Sequence, residues 1–166
     1  MGSDLLEWHI RTEELSVRPD DSNQTAIRLA SAEDAARIAV LCQQLGYPAS
    51  QEQVQRRLHQ VRQDESHAVY VAERSDGHVV GWMHVYVCRL VVTDPQVEIG
   101  GLVVDEGYRR CGVGRLLMER AECWARKKGC GVVHLRSNVV RKGAHIFYQR
   151  IGYSNVKTSR VFRKVL

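Results

Sequence analysis

VEIGGLVVDEGYRRCGVGRLL, residues 97–117, is the stretch around which the rest of the chain can be organised. Its first part, residues 97–104, is apolar and β-branched and predicts a strand. Two adjacent glycines interrupt it. Glycine weakens a strand interior, so Gly100-Gly101 marks a bulge or a place where something approaches the backbone closely. Its second part, Arg109-Arg110-Cys111-Gly112-Val113-Gly114-Arg115, turns into a helix expected over residues 112–128. Glycines there let the chain come close to a ligand, and a helix start presents unpaired N–H groups to it. With flanking arginines, the ligand such a segment suits is a phosphate or pyrophosphate. It is not a nucleotide-hydrolysing loop, because Arg115-Leu116 stands where Gly-Lys-Ser/Thr would be needed. Nor is it a dinucleotide fingerprint, which needs a third glycine where Leu117 stands and a parallel βαβ unit at the start of the fold.

Working outward, residues 131–137 (GVVHLRS) read as a buried strand, and residues 141–151 as a helix closed by Gly152. Residues 153–166 are expected to give one or two final strands. Upstream, residues 26–30 (AIRLA) form a short strand, and Ser31 with Asp34 caps a helix whose Ile38, Leu41, Cys42 and Leu45 share one face. Gly46-Tyr47-Pro48 stops it. Ser50 with Gln53 starts a second, surface helix with Val54, Leu58 and Val61 inward. Residues 67–74 and 78–92 are strands joined by Ser75-Asp76-Gly77, a hairpin signal. The helix over 112–128 turns Val113, Leu116, Leu117, Ala121 and Trp124 to the core. The order β α α β β β α β α β defines a mixed α/β fold, with a mostly antiparallel central sheet flanked by helices. Residues 1–24 read as a polar tail or arm with one short helix around residues 5–15, and residues 25–166 as a single domain.

Composition narrows the function classes. The 166 residues suit one domain, and 44% hydrophobic content supports a core. Residues 1–104 hold nine Lys/Arg against 15 Asp/Glu, whereas residues 105–166 hold 15 against four. No Asp or Glu follows Glu122, so the C-terminal half is built to sit beside an anion, and any carboxylate the chemistry needs lies upstream. No apolar run reaches the ~18–20 residues that span a bilayer, and the N-terminus lacks a signal-like apolar core. The five cysteines contain no CxxC pair, which argues against a zinc ribbon or disulfide framework and for a reduced, cytoplasmic protein with no metal.

Arg109-x-x-Gly112-x-Gly114 resembles the acyl-CoA signature of the GNAT superfamily of N-acetyltransferases, Gln/Arg-x-x-Gly-x-Gly/Ala. It follows a strand and opens a long amphipathic helix, and Ala144-His145-Ile146-Phe147-Tyr148-Gln149-Arg150-Ile151-Gly152-Tyr153 resembles the family's closing A-x-x-x-Y-x-x-x-G-F/Y segment. The resemblance runs from about Ile27 to Leu166, in order. It implies that the strand before the loop splays from its neighbour, with pantetheine filling the gap along the main chain of Leu102, Val103 and Val104. It also implies that the N–H groups of Arg110, Cys111, Gly112, Val113, Gly114 and Arg115, beside Arg109, hold the pyrophosphate of acetyl-CoA. Ala144 and Phe147 fall on the family's cofactor-facing helix. Where the family often has Asn, three residues before Ala144, this chain has Arg141, so Asn138 or Arg141 takes over that contact. The pattern from Ser137 to Tyr148 is similar to a bacterial-type subgroup that includes aminoalkylphosphonate and aminoglycoside acetyltransferases.

Acetyl transfer to an amine needs a base, because a free alkylammonium has a pKa near ~10.4. The carboxylates near the motif are Asp94, Glu98, Asp105, Glu106, Glu119 and Glu122. Glu98, on the splayed strand and 11 residues before Arg109, stands at the spacing of the catalytic glutamate in the lysine-acetylating branch. It is the candidate base, directly or through water; the alternative is a strand-edge carboxylate paired with an arginine. Tyr148 matches the family's tyrosine at the sulfur and is the candidate acid for the leaving thiolate. Its alternative is a core aromatic beside Phe147, since helix direction points only one of the two inward. His84, with Trp82 and Tyr86, either lines the acceptor pocket or simply packs on the sheet.

The expected function is acetyl transfer from acetyl-CoA to a primary amine by direct attack in a ternary complex. The acceptor is a small molecule, and an anionic one suits the basic half; the family also implies homodimers. Two other classes remain: a catalytically silent acyl-CoA sensor, and a nucleic-acid-binding module suggested by the sequence pI of 9.1. The second lacks a basic stripe with interleaved aromatics, and its N-terminal half is acidic.

Overall fold

The computed structural model describes residues 24–166, so the expected arm, apart from its last residue, lies outside the described residues. Strand β1 (Thr25–Leu29) leads through a 3-10 turn (Ala32–Asp34) into α1 (Ala35–Leu45), then α2 (Gln51–Arg62). Both expected capping boxes form: the Ser31 and Asp34 pair, and the Ser50 and Gln53 pair. β2 (His67–Arg74), β3 (Val79–Leu90) and β4 (Thr93–Val104) follow as a meander. A 3-10 turn (Glu106–Tyr108) precedes α3 (Val113–Lys127), and β5 (Val133–Leu135) and α4 (Lys142–Arg150) complete the regular structure.

The five strands lie in sequence order, β1-β2-β3-β4-β5. The first four are antiparallel, and β5 runs parallel to β4, with α3 as the crossover. α1 and α2 cover one face, where Ile38, Leu41, Val54 and Leu58 pack on Val71, Val79 and Val103. α3 covers the other, where Leu117, Met118 and Ala121 meet Val80, Met83, Val85 and Val97. Arg37 pairs with Asp105, and the Glu106 N–H donates to Gln44 Oε1 at 3.1 Å, so α1 anchors the turn that ends β4.

Several expectations need correction. β4 begins at Thr93, so residues 93–96 extend the β3–β4 hairpin rather than forming a loop. Pro95 is tolerated because it stands at a register irregularity and before β5 begins to pair at Val97. On α3, Val113, Leu117, Ala121 and Trp124 turn inward as expected, but Leu116 is exposed and Met118 is buried in the core. β5 has three residues, not seven. Residues 153–166 form no strand. A strand exists only through a ladder partner; this segment has none among the described residues, and Val156, Val161 and Phe162 stand exposed. Adjacent Val161-Phe162 also breaks the alternation that would turn one apolar face inward.

Candidate active site

The expected bulge is present. Ile99 stands opposite Val85 and Gly101 opposite His84, so Gly100 is the extra residue in β4. A Cβ at Gly101 would lie 2.8 Å from Trp82 Cη2, and one at Gly100 would lie 3.1 Å from His84 Nδ1. At Gly101 the Trp82 ring therefore leaves no room for a side chain, and at Gly100 one would press on His84. The β4–β5 ladder runs Val97↔Val133, Glu98↔His134 and Ile99↔Leu135, and ends there. From Gly100 to Val104 that edge of β4 has no strand beside it among the described residues, which leaves a wedge between the two strands. Leu102 and Val104 lean toward α3, and Val103 is buried on the α1–α2 face.

The wedge runs into the loop before α3. Arg110 adopts φ +64° and Gly112 φ +83°, both left-handed. A side chain in that region costs about 1–2 kcal/mol, so Arg110 marks a conformation imposed by the loop. Arg109 Nε donates to the Val104 carbonyl at 3.2 Å, folding the loop back onto the strand. Cys111 is exposed, its Sγ 3.5 Å from the Arg109 carbonyl. Val113, Gly114 and Arg115 form the first turn of α3, whose N–H groups have no partner within the helix. At Gly114 the neighbour is Phe147: an added Cβ would stand 3.2 Å from Phe147 Cζ. That glycine lets α4 close onto α3 as well as opening the loop.

On α4, Phe147 and Tyr148 are both half-buried against the core, with ring centroids 5.2 Å apart, so helix direction does not choose between them. Burial pushes the Tyr148 phenol above its ordinary pKa, opposed by Arg141. Ala144 lies one turn earlier on the helix and is likewise half-buried. Arg141 donates to the Leu45 carbonyl and ties the start of α4 to the end of α1. Asn138 shapes the preceding turn, its Oδ1 accepting from the Val140 N–H at 3.1 Å. Both side chains thus have structural partners of their own.

Glu98 is buried on the face shared by Tyr86, its cross-strand partner. Its Oε1 lies 3.2 Å from Arg136 Nε, and Tyr86, whose phenol pKa is raised by burial and by the Glu98 charge, stands opposite it on β3. The arginine pairing weighed as the alternative for Glu98 therefore exists, two residues before the bulge. Sequence reasoning missed Tyr86 as its partner, Arg136 as its counter-ion, and His67, whose Nδ1 lies 3.0 Å from His84 Nε2. The period-two run Trp82, His84, Tyr86 was the available signal. Among the described residues no group of three or more His, Cys, Asp or Glu could hold a metal, and no helix is long and apolar enough to cross a membrane.

A wedge beside a bulged strand, opening onto a tight loop at a helix start, defines an acyltransferase-like architecture. The family model described as "Acetyltransferase (GNAT) family" matches residues 32–153, and the chain belongs to that family. It is 42% identical over 67 residues, 40% of its length, to the uncharacterized N-acetyltransferase YhdJ of Bacillus subtilis (strain 168), covering 46% of that protein. The matched part spans less than half the length of the curated relatives. Among solved structures, aminoglycoside 6'-N-acetyltransferase AAC(6')-Ih of Acinetobacter baumannii superposes with a TM-score of 0.74 at 18% identity, over 86% of this chain and 99% of that one. Aminoglycoside N-acetyltransferase AAC(6')-Iy in complex with CoA gives 0.77 at 20% identity, over 89% and 99%. At those identities the likeness is one of fold.

Proposed function

We propose that this chain is an N-acetyltransferase that moves the acetyl group of acetyl-CoA to a primary amine, by direct attack in a ternary complex. The observation that carries this reading is the unpaired β4 edge from Gly100 to Val104, leading straight to the left-handed loop at the start of α3. The residues present fit acetyl-CoA. Main-chain groups of Leu102, Val103 and Val104 suit the amide-bearing arm. The loop from Arg109 through Arg115 offers N–H groups and guanidinium charge to a pyrophosphate. In this reading Ala144, Phe147, Asn138 and Arg141 complete the cofactor contacts, Phe147 standing beside Gly114 at the start of α3. Acetyl-CoA supplies the activated acetyl thioester.

Glu98 is the base of this reading, acting through an intervening water because its oxygens already face Arg136 and Tyr86. Tyr148 gives the proton to the departing sulfur. Its burial keeps the phenol protonated until a strong base is presented to it. The acceptor is a small amine; exposed Arg136 beside Glu98 favours one that also carries an anionic group, such as an aminoalkylphosphonate. We further read residues 25–166 as one catalytic domain of a cytoplasmic, bacterial-type enzyme that pairs as a homodimer.

The test is thermal denaturation with acetyl-CoA, followed by thiol release over a panel of amines. Saturation a hundredfold above Kd stabilises a protein by about 2.7 kcal/mol. No shift at millimolar acetyl-CoA removes the reading, and a shift without thiol release on any amine leaves an acyl-CoA sensor.

A further inference from the structure

The loop from Arg109 to Gly112 is short and holds Arg110 at φ +64°. A side chain stays in that region only where its surroundings fix the chain on both sides. The far side is α3, whose Val113 and Leu117 are buried in the core. The near side is the 3-10 turn Glu106–Tyr108, and that turn hangs on Asp105. Asp105 Oδ1 accepts from the Gly107 N–H at 2.9 Å, and its carbonyl accepts from the Tyr108 N–H at 2.9 Å. The loop is thus aimed by whatever holds Asp105.

That hold comes from α1, far away in the chain. Arg37 Nη2 donates to Asp105 Oδ2, while Arg37 Nε donates to the Val79 carbonyl at 2.8 Å. Gln44 follows seven positions later, two turns on and so on the same face of α1. Its Nε2 donates to Asp105 Oδ2 at 3.3 Å, and its Oε1 accepts from the Glu106 N–H at 3.1 Å. The two side chains therefore grip consecutive residues of the turn. Their base is firm, because Ile38 and Leu41 lie in the core and Arg141 of α4 holds the Leu45 carbonyl. Burial alone would raise the Asp105 pKa, but bonds from Gly107, Arg37 and Gln44 outweigh it, so the carboxylate stays ionised as their acceptor.

On the acetyl-transfer reading above, we propose that Arg37 and Gln44 are positioning residues for acetyl-CoA. Acting through Asp105, they set the turn that aims the N–H groups of residues 110–115 at the pyrophosphate. Neither side chain touches the cofactor. Both keep the loop in its binding conformation before the ligand arrives, so that binding does not have to order it. The pyrophosphate of acetyl-CoA is remote from the acetyl group, so the two residues supply affinity and leave the chemical step alone. Gln44 separates this role from general support of the fold. Replacing it frees the Glu106 N–H, which has no other partner among the described residues, but leaves the Arg37–Asp105 pair and the α1 core contacts in place.

The experiment is titration calorimetry with CoA, joined to amide hydrogen exchange by NMR on the unliganded protein. Gln44→Met, which keeps length and helix propensity, should raise the Kd for CoA by roughly 3- to 10-fold. Arg37→Lys, which keeps the charge but cannot reach Val79 and Asp105 together, should raise it as well. Gln43→Met, on the exposed side of α1, is the control and should match wild type. In Gln44→Met the Gly107 and Tyr108 amides, both bonded to Asp105, should exchange faster with no ligand present. On any amine the wild type acetylates, the KM for acetyl-CoA should rise while kcat holds. An unchanged Kd in Gln44→Met or Arg37→Lys, an equal rise in Gln43→Met, unaltered Gly107 and Tyr108 exchange, or a fall in kcat at constant KM each overturns the positioning role alone. Wild-type protein that binds no CoA at millimolar concentration overturns it together with the acetyl-transfer reading.

Discussion

The sharpest structural prediction concerns Gly101→Ala. An added methyl would sit 2.8 Å from Trp82 Cη2 and 3.0 Å from Trp82 Cζ3. Ordinary carbon contacts lie at ~3.5–4.0 Å, so the overlap is about 0.7 Å or more. The indole cannot retreat freely, because Trp82 packs under the α1–α2 core and Leu45 lies 3.9 Å away on the same side of Gly101. Overpacking of this kind costs roughly 1–3 kcal/mol. For a domain of this size that lowers Tm by about 2–12 °C, at about 2–4 °C per kcal/mol. The assay is a double-mutant cycle by chemical denaturation over wild type, Gly101→Ala, Trp82→Phe and the double variant. A phenyl ring ends short of the clashing edge, so Gly101→Ala should cost at least about 1 kcal/mol less in the Trp82→Phe background. An equal cost in both backgrounds would show that Gly101 is required by backbone conformation or by something other than Trp82.

The remaining predictions concern stability and the site. Gly143 lies inside α4 with nothing within 4 Å of an added Cβ, so Gly143→Ala should stabilise by roughly 0.5–1 kcal/mol in denaturant titration. Tyr148→Phe should lower kcat by at least about tenfold while leaving the acetyl-CoA-induced thermal shift intact; equal turnover removes Tyr148 from the acid role. Arg28 binds both Asp34, at 2.7 Å, and Glu73, at 2.8 Å, and Arg28→Met leaves the buried Asp34 carboxylate without its cation. The expected loss, discounted for the partly exposed arginine, is about 2–3 kcal/mol. Burial alone would raise the Asp34 pKa, but bonds from Arg28 and Ser31 outweigh it and hold the carboxyl below 3.8. A depressed folded pKa contributes stability above the unfolded value. Wild-type stability should therefore decline as pH falls below ~4, and Arg28→Met should flatten that decline.

What could be read from the sequence was what is encoded within a few residues. Ser31 and Asp34, or Ser50 and Gln53, meet three positions apart, and the helices start where those pairs stand. The Gly100-Gly101 pair predicted the bulge because glycine has few other uses inside a strand. The misses at the chain's end and at the site depend on a partner distant in the chain. Residues 153–166 are apolar enough in patches to resemble strands, but no ladder partner for them stands among the described residues. Arg136 reaches Glu98 only because β5 runs parallel to β4 with His134 opposite Glu98, a register no local pattern announces. His67 meets His84 because the β2–β3 hairpin sets Val69 opposite His84, which brings residues 17 positions apart side by side.

One inserted residue, Gly100, connects these features. A bulge turns the strand and interrupts its outer ladder, and β5 loses β4 at the residue before it, Ile99. The edge freed there, from Gly100 onward, is the one that heads toward the loop at α3. The same insertion brings Gly100 and Gly101 beneath His84, Tyr86 and Trp82, so the wedge and the polar cluster arise at one point of the sheet. Glu98 stands just before that point and Leu102 just after it. The proposed base and the proposed acyl-binding edge are therefore set by a single backbone irregularity. Removing it, by deleting Gly100, should restore a regular β3–β4 ladder in which Gly101 follows Ile99 and Leu102 keeps Met83 opposite it, so that β4 loses the bend at which β5 leaves it. Such a variant should lose acetyl-CoA-induced thermal stabilisation even if it folds, and retained stabilisation would detach the binding edge from the bulge.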